Sequence, residues 1–221
     1  MFIEKHPAIP YVAPFATFIV LLGLRNNVPL SLKWMYPVQV VIVSLVFLLL
    51  SRGVTSWRPA RPWSSIAVGI LVFIVWIGPD VLLPNYRNHW LFQNGLFGQQ
   101  STLDTALQTD YVFFAFRLFG AAIVVPIVEE LFWRGWLMRY LIDPGFERVP
   151  LGAYSTTSFW ITAIFFAAEH GIFWDVGLAA GVIYNWWMIR TRSLADCMLA
   201  HAVTNALLGA YVIAYGHWQY W

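Results

Sequence analysis

Long apolar runs broken by short polar stretches set the pattern of the chain. Residues 6–24, 34–51, 62–79, 149–168, 176–189 and 197–221 contain no Asp, Glu, Lys or Arg. A helix that crosses a bilayer needs about 20 mostly apolar residues. The runs therefore predict helices near 8–25, 34–51, 64–83, 111–141, 156–174, 176–191 and 194–215. The sixth is short and needs close neighbours or a locally thin bilayer. No internal repeat, low-complexity tract or linker interrupts the series, so residues 1–221 read as one integral membrane domain. Lys5 precedes the first run as it would in a secretory signal. No small-x-small cleavage site follows, and the run ends Gly23-Leu24-Arg25-Asn26, so it reads as a retained helix.

The polar stretches predict ends and orientation. Arg52, Arg58 and Arg61 share one loop, and the alternation of spans places Lys5, the Arg139–Arg148 loop and the Arg190/Arg192 turn on the same side. The opposite side holds Arg25, Lys33 and Arg87, so the bias puts the N-terminus in the cytoplasm. Trp and Tyr gather near the predicted ends, as in an aromatic belt: Trp34, Trp63, Trp90, Trp174, Trp218, Tyr220 and Trp221. The longest connection, 84–110, is polar, and Ser101-x-x-Asp104 is placed to cap a short interfacial helix. Ser193-x-x-Asp196 reads as a capping box and Asp175 as a cap of the sixth helix. Gly177-x-x-x-Gly181 allows close helix packing.

Composition narrows the class. Of 221 residues 60% are hydrophobic, 18% aromatic and only 11% charged, whereas soluble domains carry about 25% charged residues. Disorder, a coiled coil and an ordinary cytosolic enzyme are thereby excluded. The net charge of +2 is scattered rather than striped, which argues against nucleic acid as a partner. The single cysteine, Cys197, excludes a disulfide framework within the chain and any cysteine-rich metal site, and reads as a packing residue. What remains is an all-α, polytopic membrane helical bundle with membrane lipid around it.

Ionisable groups inside spans are costly and are functional-site candidates by default. With caps and loop charges set aside, Glu129, Glu130, Arg134, Glu169, His170 and His201 remain, with Asn205 as a neutral companion. Arg117 and Asp80 lie nearer the boundary, where snorkelling accounts for them, and His6, His89 and His217 read as incidental. Glu130 and Arg134 are i,i+4 neighbours and neutralise each other, as a structural pair or with Arg134 left to hold a substrate carboxylate. Glu129 points elsewhere and has no partner on its own helix. Pro126 predicts a kink just before it. His201 and Asn205 share a face. Counted from the helix ends, Glu129 lies at a depth of about 15 Å, His201 and Asn205 at about 10–17 Å, and His170 at about 20 Å. Nothing in the spacing assigns a role to Glu169.

An available carboxylate, imidazoles and an amide in a dry cavity suit water activation and oxyanion stabilisation, and hence hydrolysis of a carbonyl, most plausibly a peptide bond. Glu129, His170 and His201 would also make a three-ligand set if the chemistry were metal-dependent, with zinc the candidate. The sequence has no H-E-x-x-H, no G-x-S-x-G and no mid-membrane aspartate pair.

Glu129-Glu130-x-x-x-Arg134, then Phe166-x-x-x-His170, then His201-x-x-x-Asn205 resemble the three-motif signature of the CAAX protease and bacteriocin-processing (CPBP, or Abi) family. The motifs fall within 110–215; the first three helices match only as generic spans. Small chains of this layout also resemble the CAAX-protease-related proteins of bacterial exosortase/PEP-CTERM sorting systems. The resemblance implies an intramembrane endopeptidase of seven to eight spans. It implies Glu129 as the water-activating base, His170 as its partner, and His201 and Asn205 as oxyanion stabilisers. Members have been called metalloproteases, and a metal-free glutamate mechanism, preferred for this chain, is also proposed for them. The implied partner is a peptide or protein substrate, a C-terminal segment among the options, and the implied setting a bacterial inner membrane. The competing readings are a non-catalytic membrane adaptor or immunity protein that keeps the fold, and a proton-coupled transporter carrying its proton on Glu129. The transporter reading is weakened by the lack of a repeat.

Overall fold

The computed structural model describes residues 6–25, 27–96 and 98–221; Lys5 and Asn26, used above for the first helix and its orientation, lie outside them. Seven helices form: α1 (Ile9–Leu24), α2 (Leu32–Leu50), α3 (Pro62–Leu82), α4 (Tyr111–Tyr140), α5 (Thr156–Ala168), α6 (Trp174–Thr191) and α7 (Leu194–Tyr215). All but α1 and α5 are long and apolar enough to cross a bilayer unaided. The protein is an all-helical integral membrane bundle. Its outer surface is apolar: Leu49, Trp63, Leu71 and Ile74 are exposed along α2 and α3.

The short helix is the fifth, not the sixth. α5 stops at Ala168, and the chain turns through Glu169 and His170 into a 3-10 turn, Gly171–Phe173. Gly171 has φ +54°, a left-handed conformation that ends the helix without a Cβ clash. The residues expected at the end of the fifth helix therefore form a connector, and His170 sits at the helix terminus rather than inside a span. α6 begins at Trp174 and packs along α5 through small residues: a Cβ on Gly181 would stand 3.1 Å from the Ala163 backbone.

α7 packs on α3, α6 and the middle of α4, so α4 and α7 hold the centre. In α4, wider π-helical turns at Gly120–Val124 and Leu131–Leu137 flank the stretch Val125–Glu130. Pro126 lacks an N–H and its ring crowds the carbonyl four residues back. The preceding turn widens to take it, with the Val125 N–H reaching Gly120 O. This local insertion stands where a kink is expected, and π turns of this kind cluster at functional sites.

Three boundary assignments change. Asp196 accepts from the backbone N–H groups of Ala60 and Arg61 (both 2.8 Å) and from Ser65 Oγ (2.7 Å), so it holds the start of α3 instead of closing a reciprocal box; Ser193 still caps α7 through the Asp196 N–H. Asp175 does not cap α6, and Asp80 does not snorkel. Both pair with Arg87, at 2.6 and 3.0 Å, and Arg87 is only 4% exposed. Arg87 also donates to Ile172 O (2.8 Å), and Tyr220 Oη donates to Asp80 (2.7 Å), which ties the 84–110 connection and the C-terminus to the helix ends. Burial, with Asp175 and Asp80 alongside, holds the Tyr86 and Tyr220 phenols above their ordinary values. At the start of α4, Asp110 caps Val112 and Phe113 and pairs with Lys33 at 2.6 Å. Asp104 caps the short turn Thr105–Leu107.

Candidate active site

The centre of the bundle is a charged cluster sealed from solvent. Glu130 and Arg134 are both 0% exposed. Arg134 Nη1 meets Glu130 Oε1 at 3.1 Å, as the i,i+4 spacing requires. Two residues of α6 complete the clamp: Asn185 Oδ1 accepts from Arg134 Nε at 2.9 Å, and Gly181 O accepts from Nη2 at 3.3 Å. Asn185 is fixed in turn by donating to Phe159 O at 2.8 Å. The guanidinium lies 4.6 Å from the Phe166 ring centroid. A buried cation with this many partners is compensated, and removing one partner would strand a charge.

His201 joins the cluster from α7. Its Nδ1 lies 3.0 Å from Glu130 Oε1, and its ring stacks on Tyr184 at 5.0 Å. Tyr184 Oη donates to Thr204 (2.8 Å), which donates to Gly69 O (2.8 Å), so the ring face is locked by three helices. His170 is held differently. Its Nδ1 lies 2.6 Å from Phe166 O. A carbonyl oxygen only accepts, so Nδ1 carries the proton, and in the neutral ring Nε2 is the basic atom. The rings of Phe166 and Trp76 pack on His170 at 4.7 and 5.1 Å. Phe166 thus supports both imidazoles and the guanidinium, which explains the aromatic residue one turn before His170.

His170, His201 and Asn205 line one cavity of about 210 Å³, walled also by Trp76, Tyr184 and, from α4, Ala121 and Val125. Asn205 Nδ2 donates to Ala121 O at 2.8 Å, which leaves its second N–H uncommitted. Glu129 is 5% exposed and is not part of the wall. It follows the lining residue Val125 by one α-helical turn. Its Oε2 is buried without a hydrogen-bond partner. Its carboxyl group lies within hydrogen-bonding range of Glu169, whose Oε1 accepts from Trp133 Nε1 at 3.1 Å.

Three of the four residues singled out by the motifs therefore share a cavity, and Glu129 is not among the residues that line it. Among the described residues no three His, Cys, Asp or Glu side chains are grouped to hold a metal ion. The set Glu129, His170 and His201 does not form a ligand cluster, because each turns to a different neighbour: Glu169, the Phe166 backbone and Glu130. Sequence reasoning missed Asn185, Tyr184 and the Glu129–Glu169 contact. Asn185 left a signal, since it lies four residues from Gly181 on an apolar helix.

Residues 111–207, which span α4 to most of α7, match the family model described as type II CAAX prenyl endopeptidase Rce1-like. That segment is similar to the CAAX protease family. Its match takes in the cavity residues His170, His201 and Asn205 together with the Glu130–Arg134 clamp; α1 to α3 lie outside it. Comparisons with curated proteins and with solved structures gave no match.

Proposed function

We propose that this chain is an intramembrane endopeptidase that hydrolyses a peptide bond in a membrane-associated protein or peptide without a required metal. The observation that carries the reading is the convergence of His170, His201 and Asn205 on one largely aromatic cavity, with an incompletely bonded carboxylate, Glu129, one turn beyond its wall. The family of the α4–α7 segment supports CAAX protease activity.

In the proposed reaction Glu129 takes a proton from a water held between it and His170. The water oxygen attacks the scissile carbonyl carbon, and the carbonyl π electrons move to its oxygen. The free N–H of Asn205 receives that oxyanion, together with Nε2–H of His201 protonated at both nitrogens, its Nδ1–H held by the Glu130 carboxylate. Collapse of the intermediate breaks the C–N bond, and the proton on Glu129 passes to the leaving amine. Glu130 and Arg134 orient His201 and remain paired throughout. The arginine bias of the 52–61 loop supports a cytoplasmic N-terminus, and the family resemblance supports a bacterial inner membrane as the setting.

The test is a comparison of membrane-protein termini in cells carrying the parent chain and cells carrying Glu129→Gln at equal abundance. We expect one or more termini to vanish in the variant while its thermal unfolding is unchanged. Identical termini in both strains would favour the adaptor reading.

A further inference from the structure

Arg117 is the charged residue that neither the motifs nor the proposed chemistry uses. It lies on α4, and Arg117, Ala121, Val125 and Glu129 follow one another at four-residue intervals. Its guanidinium sits over the Tyr36 ring at 4.7 Å and the Trp221 ring at 5.9 Å. Among the described residues it has no carboxylate and no hydrogen-bond acceptor for its side chain. Every other arginine deep in this fold is anchored: Arg87 by two aspartates, Arg134 by Glu130 and Asn185, Arg139 by Gly135 O at 2.6 Å.

Two cavities meet at this residue. The inner one holds His170, His201 and Asn205; the outer one, of about 330 Å³, is lined by polar groups that include Arg25, Ser101, Thr102 and Asp104. Tyr36, Arg117 and Trp221 line both and form the partition between them. Asp104 is committed to capping Ala106 N–H at 2.9 Å, and Arg25 adds a second cation, so the outer chamber carries a surplus of positive charge. A guanidinium that only stacks on aromatics retains its five fork-arranged donors, a geometry matched to carboxylate. Arg117 precedes Glu129 by twelve residues, about 18 Å of helix. An extended peptide covers that distance in about five residues.

Resting on the endopeptidase reading, we propose that Arg117 is a specificity-determining anchor for a peptide carboxylate, which enters through the outer chamber and fixes the cut within about five residues of it. The carboxylate comes from the chain terminus or from an acidic side chain. Arg117 would then set which bond is presented, and the His170–His201–Asn205 cavity would cleave it.

The test measures binding, so that it does not depend on turnover. The full chain in lipid nanodiscs, carrying Glu129→Gln to prevent cleavage, is titrated with three fluorescent mixtures of apolar heptapeptides: free acid, C-terminal amide, and amide with one Glu. A preference of about tenfold or more for a carboxylate-bearing mixture is expected, the scale of a charge-assisted hydrogen bond. Free acid over both amides assigns the terminus; the Glu-bearing amide over the plain amide assigns a side chain. Adding Arg117→Gln should bring the ratio near one, and Arg117→Lys should restore part of it. No preference on the Glu129→Gln background, or a preference that Arg117→Gln leaves intact, overturns the proposal. So does a change confined to co-purifying anionic lipid, which would make Arg117 a headgroup contact. If the preference holds and depends on Arg117 while the chain without Glu129→Gln cleaves none of the bound mixtures, the anchor stands and the endopeptidase reading fails.

Discussion

Glu129 and Glu130 are adjacent in sequence and equally deep in the bundle, yet their surroundings differ. Around Glu130, Arg134 and His201 converge on one carboxylate oxygen, and Asn185 and Gly181 O hold the arginine. Each glutamate keeps one buried oxygen, Oε2, without a hydrogen-bond partner, but among the described residues no arginine or histidine is bonded to Glu129, whose neighbour is the carboxyl group of Glu169. A helix turns about 100° per residue, so neighbouring positions sample different walls. The bundle uses one wall for charge compensation and the other for a carboxylate left available. A buried carboxylate bonded to its cation holds the fold together, whereas one without a cation is a place where chemistry can occur.

The largest effect should come from dismantling the compensated side. Arg134→Ala leaves Glu130 buried without its cation and His201 without its fixed orienting partner. Removing one member of a buried pair costs about 3–5 kcal/mol. We expect the yield of folded protein in detergent to collapse and activity to be lost with it, read by size-exclusion and thermal unfolding. Retention of parental stability would show that the cluster is not the fold's anchor.

Next is the cavity wall. Asn205→Ala removes a donor aimed at the oxyanion and also the bond to Ala121 O. A drop of about 10²–10³ in kcat is expected, with KM little changed, measured on the substrate that the termini comparison identifies. A rise in KM alone, with kcat unchanged, would contradict the oxyanion role.

These two expectations also separate what the sequence discloses from what it hides. The i,i+4 rule makes the Glu130–Arg134 bond legible, and the six charge-free runs make all the helices but α4 legible. The depth count brought His170, His201 and Asn205 to comparable levels. The His201–Glu130 bond joins residues 71 positions apart and needs the packing of α7 on α4, which no spacing encodes. The same holds for Arg87, a loop residue by sequence that is drawn between Asp80 and Asp175 by the docking of its loop. The end predicted for the fifth helix lies beyond the observed one because Ile172, Phe173 and Trp174 are again apolar after Glu169 and His170, while the backbone turns at Gly171.

A smaller effect sharpens the contrast with the water-exposed ends. Lys33 first, and then the Phe113 N–H, hold the Asp110 carboxyl below its ordinary value; for Asp143 the Gly145 N–H leads, followed by Arg148. A lowered folded-state value contributes stability above the unfolded carboxylate range, near pH 3.9, and that contribution is lost as pH falls through the folded values. Thermal unfolding between pH 7 and pH 3 should show a modest fall in Tm confined to the acid end, and Asp110→Asn should flatten it. A fall centred near neutrality would point to histidines instead.

The most direct measurement pairs the two adjacent glutamates. Purified Glu129→Gln and Glu130→Gln chains are compared for thermal stability and for cleavage of the identified substrate. We expect Glu129→Gln to unfold at the parent's temperature while cleavage falls by about 10²–10⁴, and Glu130→Gln to lose stability first. Glu129→Gln cleaving at the parent's rate would contradict the account.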